Sequence, residues 1–573
     1  MQRSLVGSEM CIRDRYMGIM FALCVSGCDG QRGVVTIYEN GTIYTCEDSL
    51  PRAEAMVVSQ GKILYVGGSE NLKTYKKGKY KSVDLKGKTV LPGFVESHAH
   101  PACYGFMEAG DMIVIDGTAT KQDILQQLKD YLKEYPDATH LLGQGYGLAY
   151  LGLAEGGTPT AKDLDEVSST IPIMLYDEGC HSGWANSAAL KLAGVDENTP
   201  DPLPGVHYYV RYPGTKTPTG YLCENTGHIV ANAMPFNTTE RVVEHLKTAL
   251  DNYTDMGFTA VFDAGDIYNT TYQAVKQLQD NNELNLYYQK GYWADQTISV
   301  SDNIARLKEL DKKYSDGNFY CNVYKMFEDG TIEAESASLI KPYTNSGKQV
   351  EPFFSEEENF EHVSAALSAG YAVHAHAIGD KGQRYILDTY LKTMHINPSL
   401  PRAIAHNQVF EPEAIGKYTA MKENLFCQTT PSWTVPDAVE ETLKKLGEER
   451  FDRQYLWGNL TDNGVRVTFG SDYPANLIEE VNPFSQIYHA IMRLDSLSGY
   501  FPPCHAGLNI QHGIKAYTIN AAQQMGLSDV TGSLKVGKNA DFIIIDRDIF
   551  KCNLEDVKET NVLNTYFQGK KVK

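Results

Sequence analysis

Two histidines separated by one residue, His98-Ala99-His100, end an apolar stretch that runs from Thr89-Val90-Leu91 through Pro92-Gly93 into Phe94-Val95-Glu96-Ser97. Alternate side chains of a β-strand share a face, so both rings can offer a nitrogen to one divalent ion. Such a pair also arises by chance. It constrains the fold only when further ligands answer it from distant parts of the chain, because strands far apart in sequence must then end at one place.

Length and composition leave room for that arrangement. The chain has 573 residues and is 42% hydrophobic, enough for a large catalytic domain with one or two smaller ones. Its 72 acidic residues outnumber 52 basic ones, for a net charge of −20, and they are spread along the chain. Nucleic acid is therefore not an expected partner.

Residues 33–90 alternate short strand patterns with turn signals such as Glu39-Asn40-Gly41 and Gln60-Gly61-Lys62, and residues 528–573 have the same texture. The two segments are expected to build one small β-sandwich domain from both ends of the chain. Between them, buried-strand patterns occur at 94–98, 258–262, 286–292, 322–327, 371–376, 402–406, 425–428 and 466–470, several followed by helical patterns such as 356–370 and 382–394. Eight such strands predict an α/β fold, a (β/α)8 TIM-like barrel over residues 91–510 with its chemistry at the C-terminal strand ends. The span 103–257 is too long for one connection and has strand patterns at 141–144 and 171–176. It is expected to be an insertion that shapes the mouth of the barrel.

Four more candidate ligands fall at the ends of these strands: Lys325, His376, His406 and Asp472. His374 shares a strand face with His376 and is read as a support for the ligands or as core. The surrounding text includes Leu91-Pro92-Gly93-Phe94, Asp177-Glu178-Gly179-Cys180-His181, Trp184-Ala185-Asn186-Ser187, Asp329-Gly330, His376-Ala377-Ile378-Gly379-Asp380, Gly470-Ser471-Asp472 and Gly537-Lys538-Asn539-Ala540-Asp541. In these motifs the chain, from about residue 33 to 573, resembles the amidohydrolase superfamily, and within it the YtcJ-like and N-substituted formamide deformylase-like group. The resemblance implies that His98, His100 and Asp472 bind one metal and that His376 and His406 bind a second. A carboxylated Lys325 would bridge the two.

Elementary chemistry supports each assignment. Neutral imidazoles and carboxylates suit zinc, and one or two such ions acidify a water enough to give hydroxide at neutral pH. Asp472 is the candidate general acid/base, since the leaving nitrogen needs a proton. A second metal or a neighbouring histidine, His406 being the candidate, would polarise the carbonyl oxygen. Lys325 has an alternative as the partner of Glu328 or Asp329, which would leave a single-metal site. His181, Trp184 and Asn186 are read as pocket wall or lid, with an ordinary helix start as the competing account, and Trp433 as a wall on the leaving-group side.

The expected activity is metal-dependent hydrolysis of a non-peptide C–N bond in a linear amide or an N-acyl or N-formyl compound. Cyclic amide hydrolysis or deamination at the same site is the alternative, and a catalytically inactive barrel lipoprotein that acts by binding is the alternative of another class. Residues 1–15 resemble read-through of a sequencing adapter and are set aside. Residues 16–28 are similar to a lipoprotein signal peptide ending at Cys28, which implies an exported bacterial lipoprotein, periplasmic or held at the cell envelope. The expected partners are a small-molecule amide substrate and a membrane reached only through the lipid at Cys28, with homodimer formation left open. Fatty-acid labelling is expected to mark the chain and to be lost in Cys28→Ser.

Overall fold

In a computed structural model, which describes residues 34–152, 157–434, 439–476, 478–493 and 508–573, eight strands form one parallel sheet in chain order. They are β1 (Phe94–Ala99), β2 (Phe258–Asp266), β3 (Tyr287–Trp293), β4 (Phe319–Phe327), β5 (Ala372–Ala377), β6 (Arg402–His406), β7 (Leu425–Thr429) and β8 (Arg466–Phe469). Helices follow several of them on the outside, among them Glu356–Ser368 and Asp380–Lys392. The first of these is started by a reciprocal cap, in which the Ser355 hydroxyl accepts from Glu358 N–H and the Glu358 carboxylate accepts from Ser355 N–H. The architecture is a nearly closed (β/α)8 barrel.

The ring closes between β8 and β1 through individual polar contacts. Asp472 N–H donates to His98 O at 2.8 Å, and the Ser97 hydroxyl donates to Phe469 O at 2.6 Å. The buried Glu96 carboxylate accepts from His98 N–H at 3.0 Å and from Ser471 N–H at 3.1 Å. Burial pushes the Glu96 carboxyl up to about 8. The strand that delivers the first histidines is thus tied directly to the loop that delivers Asp472.

Strand β1 is fed by Thr89–Pro92, the middle strand of a six-stranded sheet, which pairs with Thr42–Tyr44 on one side and Phe542–Ile545 on the other. Both ends of the chain therefore share one sheet. A second sheet of Lys62–Gly67, Ala55–Ser59, Val35–Glu39 and Tyr80–Asp84 shares a core with it that includes Tyr38, Met56 and Phe542. Gly93 joins this sheet to the barrel. A Cβ there would come within 2.3 Å of the Thr259 side chain, so the close approach of β1 and β2 requires glycine.

The segment after β1 begins with helix Pro101–Glu108 and continues into a six-stranded mixed sheet. The order across that sheet is Tyr208–Arg211, Pro218–Cys223, Ser182–Ala185, Ile173–Asp177, Leu141–Tyr146 and Ile113–Val114. Its apolar core includes Ile124, Leu128, Leu164, Ile173 and Trp184. Residues 1–33, and with them the adapter-like stretch, the signal-like segment and Cys28, lie outside the described residues. Among the described residues no helix is long and apolar enough to cross a membrane, and the cysteines are free thiols.

Removing the Glu96 carboxylate strands two buried N–H donors where the ring closes. Glu96→Ala is expected to lower unfolding free energy by about 2–5 kcal/mol, with Glu96→Gln milder because it keeps an acceptor. Chemical denaturation monitored by tryptophan fluorescence checks this, and equal stability of the two variants would refute the role.

Candidate metal centre

His98 and His100 leave β1 together, and Asp472 reaches them from the loop after β8. Asp472 Oδ1 lies 3.3 Å from His98 Nε2 and 3.5 Å from His100 Nε2, while Oδ2 lies 3.9 Å from His406 Nδ1. Ligand atoms of His98, His406 and Asp472 all lie within 4.8 Å of one another. His376, from β5, packs against His406, at the end of β6, with ring centres 4.5 Å apart. The structure thus gathers His98, His100, His376, His406 and Asp472 at one end of the barrel.

The polar satisfaction of these groups is incomplete in an informative way. His98 Nε2, His406 Nδ1 and Lys325 Nζ are buried without hydrogen-bond partners. Orphaned buried polar atoms are costly, and two of these, on His98 and His406, facing one carboxylate fit a site built to hold a cation. Burial keeps His98, His374, His376 and His406 well below the ordinary imidazole range, and it lowers His100 to about 4. The neutral ring is the form that ligates a metal. Burial also raises the Asp472 carboxyl against the pull of Lys325, and it lowers the Lys325 ammonium against the pull of Asp472.

His98, His100 and His376 each have a ring nitrogen held by a neighbouring group. His98 Nδ1 shares a hydrogen bond with His374 Nε2 at 2.8 Å, so His374 holds a candidate ligand. His100 Nδ1 lies 2.8 Å from Gly265 O. Gly265 sits in an irregular stretch near the end of β2, where the Asp263 carboxylate accepts its N–H at 2.9 Å. A fully buried Lys290 bridges Asp263 and Asp266 at 2.9 and 2.7 Å. That ion triad fixes the backbone on which His100 leans. His376 Nε2 lies 3.3 Å from Gly330 O and 3.6 Å from Asp329 Oδ1.

Lys325, on β4, makes no ion pair with Glu328 or Asp329. The Glu328 carboxylate accepts from Asn359 Nδ2 at 2.7 Å, and Asp329 accepts from the N–H groups of Ser338, Ile378 and Gly379 at 2.8–2.9 Å. The Lys325 ammonium instead stands 4.8 Å from the Phe327 ring centre.

A cavity of about 1050 Å³ opens over the centre between the barrel and the insertion, and His100, Lys325, His376, His406 and Asp472 line its floor. Trp433 lines it too, stacked on His406 with ring centres 5.0 Å apart. From the insertion come His181, His207, Glu224 and His228. His181 Nδ1 pairs with Glu224 at 2.7 Å. Burial would lower the His181 pKa, but the charges of Glu224, Asp177 and Asp472 outweigh it and hold it at about 9.

Two expectations need correction. Trp184 does not line the cavity: it is buried in the insertion's own core, and its Nε1 donates to Thr160 O at 2.7 Å. Asn186 does not line it either. Its Oδ1 caps helix Ser187–Leu192 by accepting from Ala189 N–H at 2.8 Å, and its Nδ2 donates to Ser168 O and Ile171 O. Glu224, His207, His228 and the Lys290 triad were not anticipated. No spacing in the sequence marks them, because the sheet pairing of the insertion and the irregularity in β2 bring them to the site.

Comparison with known proteins bears on the family and the fold. A family model described as an amidohydrolase family matches residues 81–573. The exoenzymes regulatory protein AepA of Pectobacterium carotovorum subsp. carotovorum is 51% identical over 433 residues, which is 76% of this chain and 93% of that protein. An N-substituted formamide deformylase of Arthrobacter pascens is 24% identical over 92% of this chain and 96% of its own. The crystal structure of an uncharacterized metal-dependent hydrolase from Pyrococcus horikoshii OT3 superposes with a TM-score of 0.70 at 24% identity, covering 91% of this chain and 99% of that one.

His98→Ala and Asp472→Ala are expected to lower the metal content of the purified protein, read by elemental analysis. Trp184→Ala is expected to leave it unchanged while lowering stability by about 3–5 kcal/mol, as for other large core truncations. Lys290→Met strands two buried carboxylates and is expected to destabilise the protein by about 3–5 kcal/mol. Normal metal binding by Asp472→Ala would remove Asp472 from the centre.

Proposed function

Because the chain belongs to the amidohydrolase family, we propose that it is a metal-dependent hydrolase acting on a non-peptide C–N bond, in a linear amide or an N-acyl or N-formyl compound. One observation carries the reading: His98 Nε2 and His406 Nδ1, buried and without hydrogen-bond partners, face one carboxylate, Asp472. Zinc is the ion we assign to His98, His100 and Asp472. His376 and His406 would hold a second ion, with Lys325 between the two in carboxylated form. When bound, such an ion supplies Lewis acidity and brings the pKa of a water near neutrality.

The chain's own groups do the rest. An Asp472 carboxylate oxygen takes the proton of the attacking water and returns it to the departing nitrogen, which cannot leave as an amide anion. His406 is placed to polarise the carbonyl oxygen as charge develops there. Trp433 covers His406 and offers an apolar face to the leaving group.

The relative named as a formamide deformylase supports the choice of a linear amide. A cyclic amidohydrolase or a deaminase would use the same residues and differ in the cavity walls. A second reading has its own support, since the 51% identical relative is named a regulatory protein. On that reading the barrel acts by binding, without turnover. We assign the protein to the cell envelope, anchored through Cys28, with a homodimer as an allowed state.

Purified protein is expected to contain zinc and to hydrolyse at least one member of a panel of formamides, N-acyl amino acids and cyclic imides. Chelation should abolish turnover and added zinc restore it. Protein with no bound metal and no turnover would sink the enzymatic reading in favour of binding.

A further inference from the structure

The insertion places a charged pair on the cavity wall beside the metal ligands. His181 follows Ile173–Asp177 and precedes Ser182–Ala185, while Glu224 follows Pro218–Cys223. These strands are neighbours, and Ser182 pairs with Cys223, so two residues 43 apart in sequence come face to face. The pair is doubly tied. Glu224 N–H donates to His181 O at 2.8 Å, and the Glu224 carboxylate meets His181 Nδ1 at 2.7 Å.

Glu224 occupies a backbone conformation of φ 52° and ψ −131°, which side-chain-bearing residues seldom adopt. Strain of this kind persists where the surrounding structure imposes it, and here it aims the carboxylate at the imidazole. Glu224 also lies near the barrel: a Cβ built on Gly330 would stand 3.2 Å from Glu224 Oε1, and Gly330 O is the group beside His376 Nε2.

With Nδ1 engaged by Glu224, Nε2 is the His181 atom left for a bound molecule. The ring lies 5.7 Å, centre to centre, from His376 and lines the same cavity. His207 lines that wall as well, and its Nδ1 is buried without a hydrogen-bond partner.

We propose that His181, backed by Glu224, is a catalytic hydrogen-bond donor that receives the acyl oxygen of the substrate, and the carboxylate of the product, on the insertion's wall of the cavity. His181 would touch the substrate, whereas Glu224 is a positioning residue that acts through it. The Glu224 carboxylate, 2.7 Å from Nδ1, favours the ring that carries both protons, which leaves Nε2–H as the donor. The barrel then supplies the metal ligands and, through His406, one group that polarises the oxygen, and the insertion supplies a second donor to it from the facing wall. This inference rests on the amide-hydrolase reading for its turnover test, but its binding test is independent of that reading.

The test uses the full zinc-loaded chain, with sodium formate as the probe of carboxylate binding by calorimetry and the amide panel as the probe of turnover. His181→Gln is expected to keep its zinc and its melting temperature, to weaken formate binding at least about tenfold, and to lower kcat by about 10²–10³, as loss of one oxyanion donor does. Glu224→Gln is expected to show a smaller loss of the same kind, mainly in kcat rather than KM. Formate binding that His181→Gln leaves unchanged, or no formate binding by the unaltered protein, overturns the proposal. If no panel member is hydrolysed, the amide reading fails while the formate comparison still decides the role of His181.

Discussion

The carboxylate of Asp472 is left without adequate protein partners, and much of the site follows from that fact. Three imidazole nitrogens surround it at 3.3–3.9 Å, beyond good hydrogen-bond distance, and two of them have no other partner. A buried carboxylate in such company is poorly compensated until a cation sits among these atoms. The surrounding shell makes sense only in that light. His374 takes the second nitrogen of His98, Gly265 O takes that of His100, and Lys290 anchors the loop that carries Gly265. Each support fixes a ring so that its remaining nitrogen faces the centre.

Holding that geometry requires backbone conformations that a relaxed chain would avoid. His406, Asn407 and Asp472 all have positive φ, at 72°, 48° and 54°. Strain of this order, about 1–3 kcal/mol per residue, is stored where the neighbours impose it. The neighbours are identifiable. Gln428 Oε1 accepts His406 N–H, Asn407 Nδ2 donates to Ile404 O and Gln428 O, and Tyr418 donates to Asn407. On the other side, His98 O holds Asp472 N–H. The parallel barrel thus provides a stiff frame against which two strained turns are set.

The parts legible in the sequence were those governed by local pattern. Strand periodicity and turn signals located the barrel strands to within a few residues, because a strand buried on both faces reads as an apolar run wherever it lies in the fold. The His-x-His pair and the strand-end Lys, His and Asp residues stood out against that background. The insertion was less legible for a physical reason. Trp184 has the same apolar character whether it lines a pocket or fills a core, and only the pairing of Ser182–Ala185 between two other strands turns it inward. Glu224 carries no motif at all. Its partner His181 is 43 residues away, and the two meet through a sheet whose order follows no local signal.

The contrast between barrel and insertion has a chemical consequence. Ligand positions at strand ends are rigid and few, so changing one disturbs the ring, the strained turn behind it and the support beneath it. The insertion has its own core, built on residues such as Ile124, Leu164 and Trp184, and it meets the cavity through side chains outside that core, among them His181, His207, Glu224 and His228. Those side chains can change while that core and the metal ligands stay as they are. The wall above the centre is thus shared between the insertion and barrel-side residues such as Trp293, Phe327 and Trp433, and similarity confined to the barrel ligands predicts a shared way of activating water better than a shared substrate.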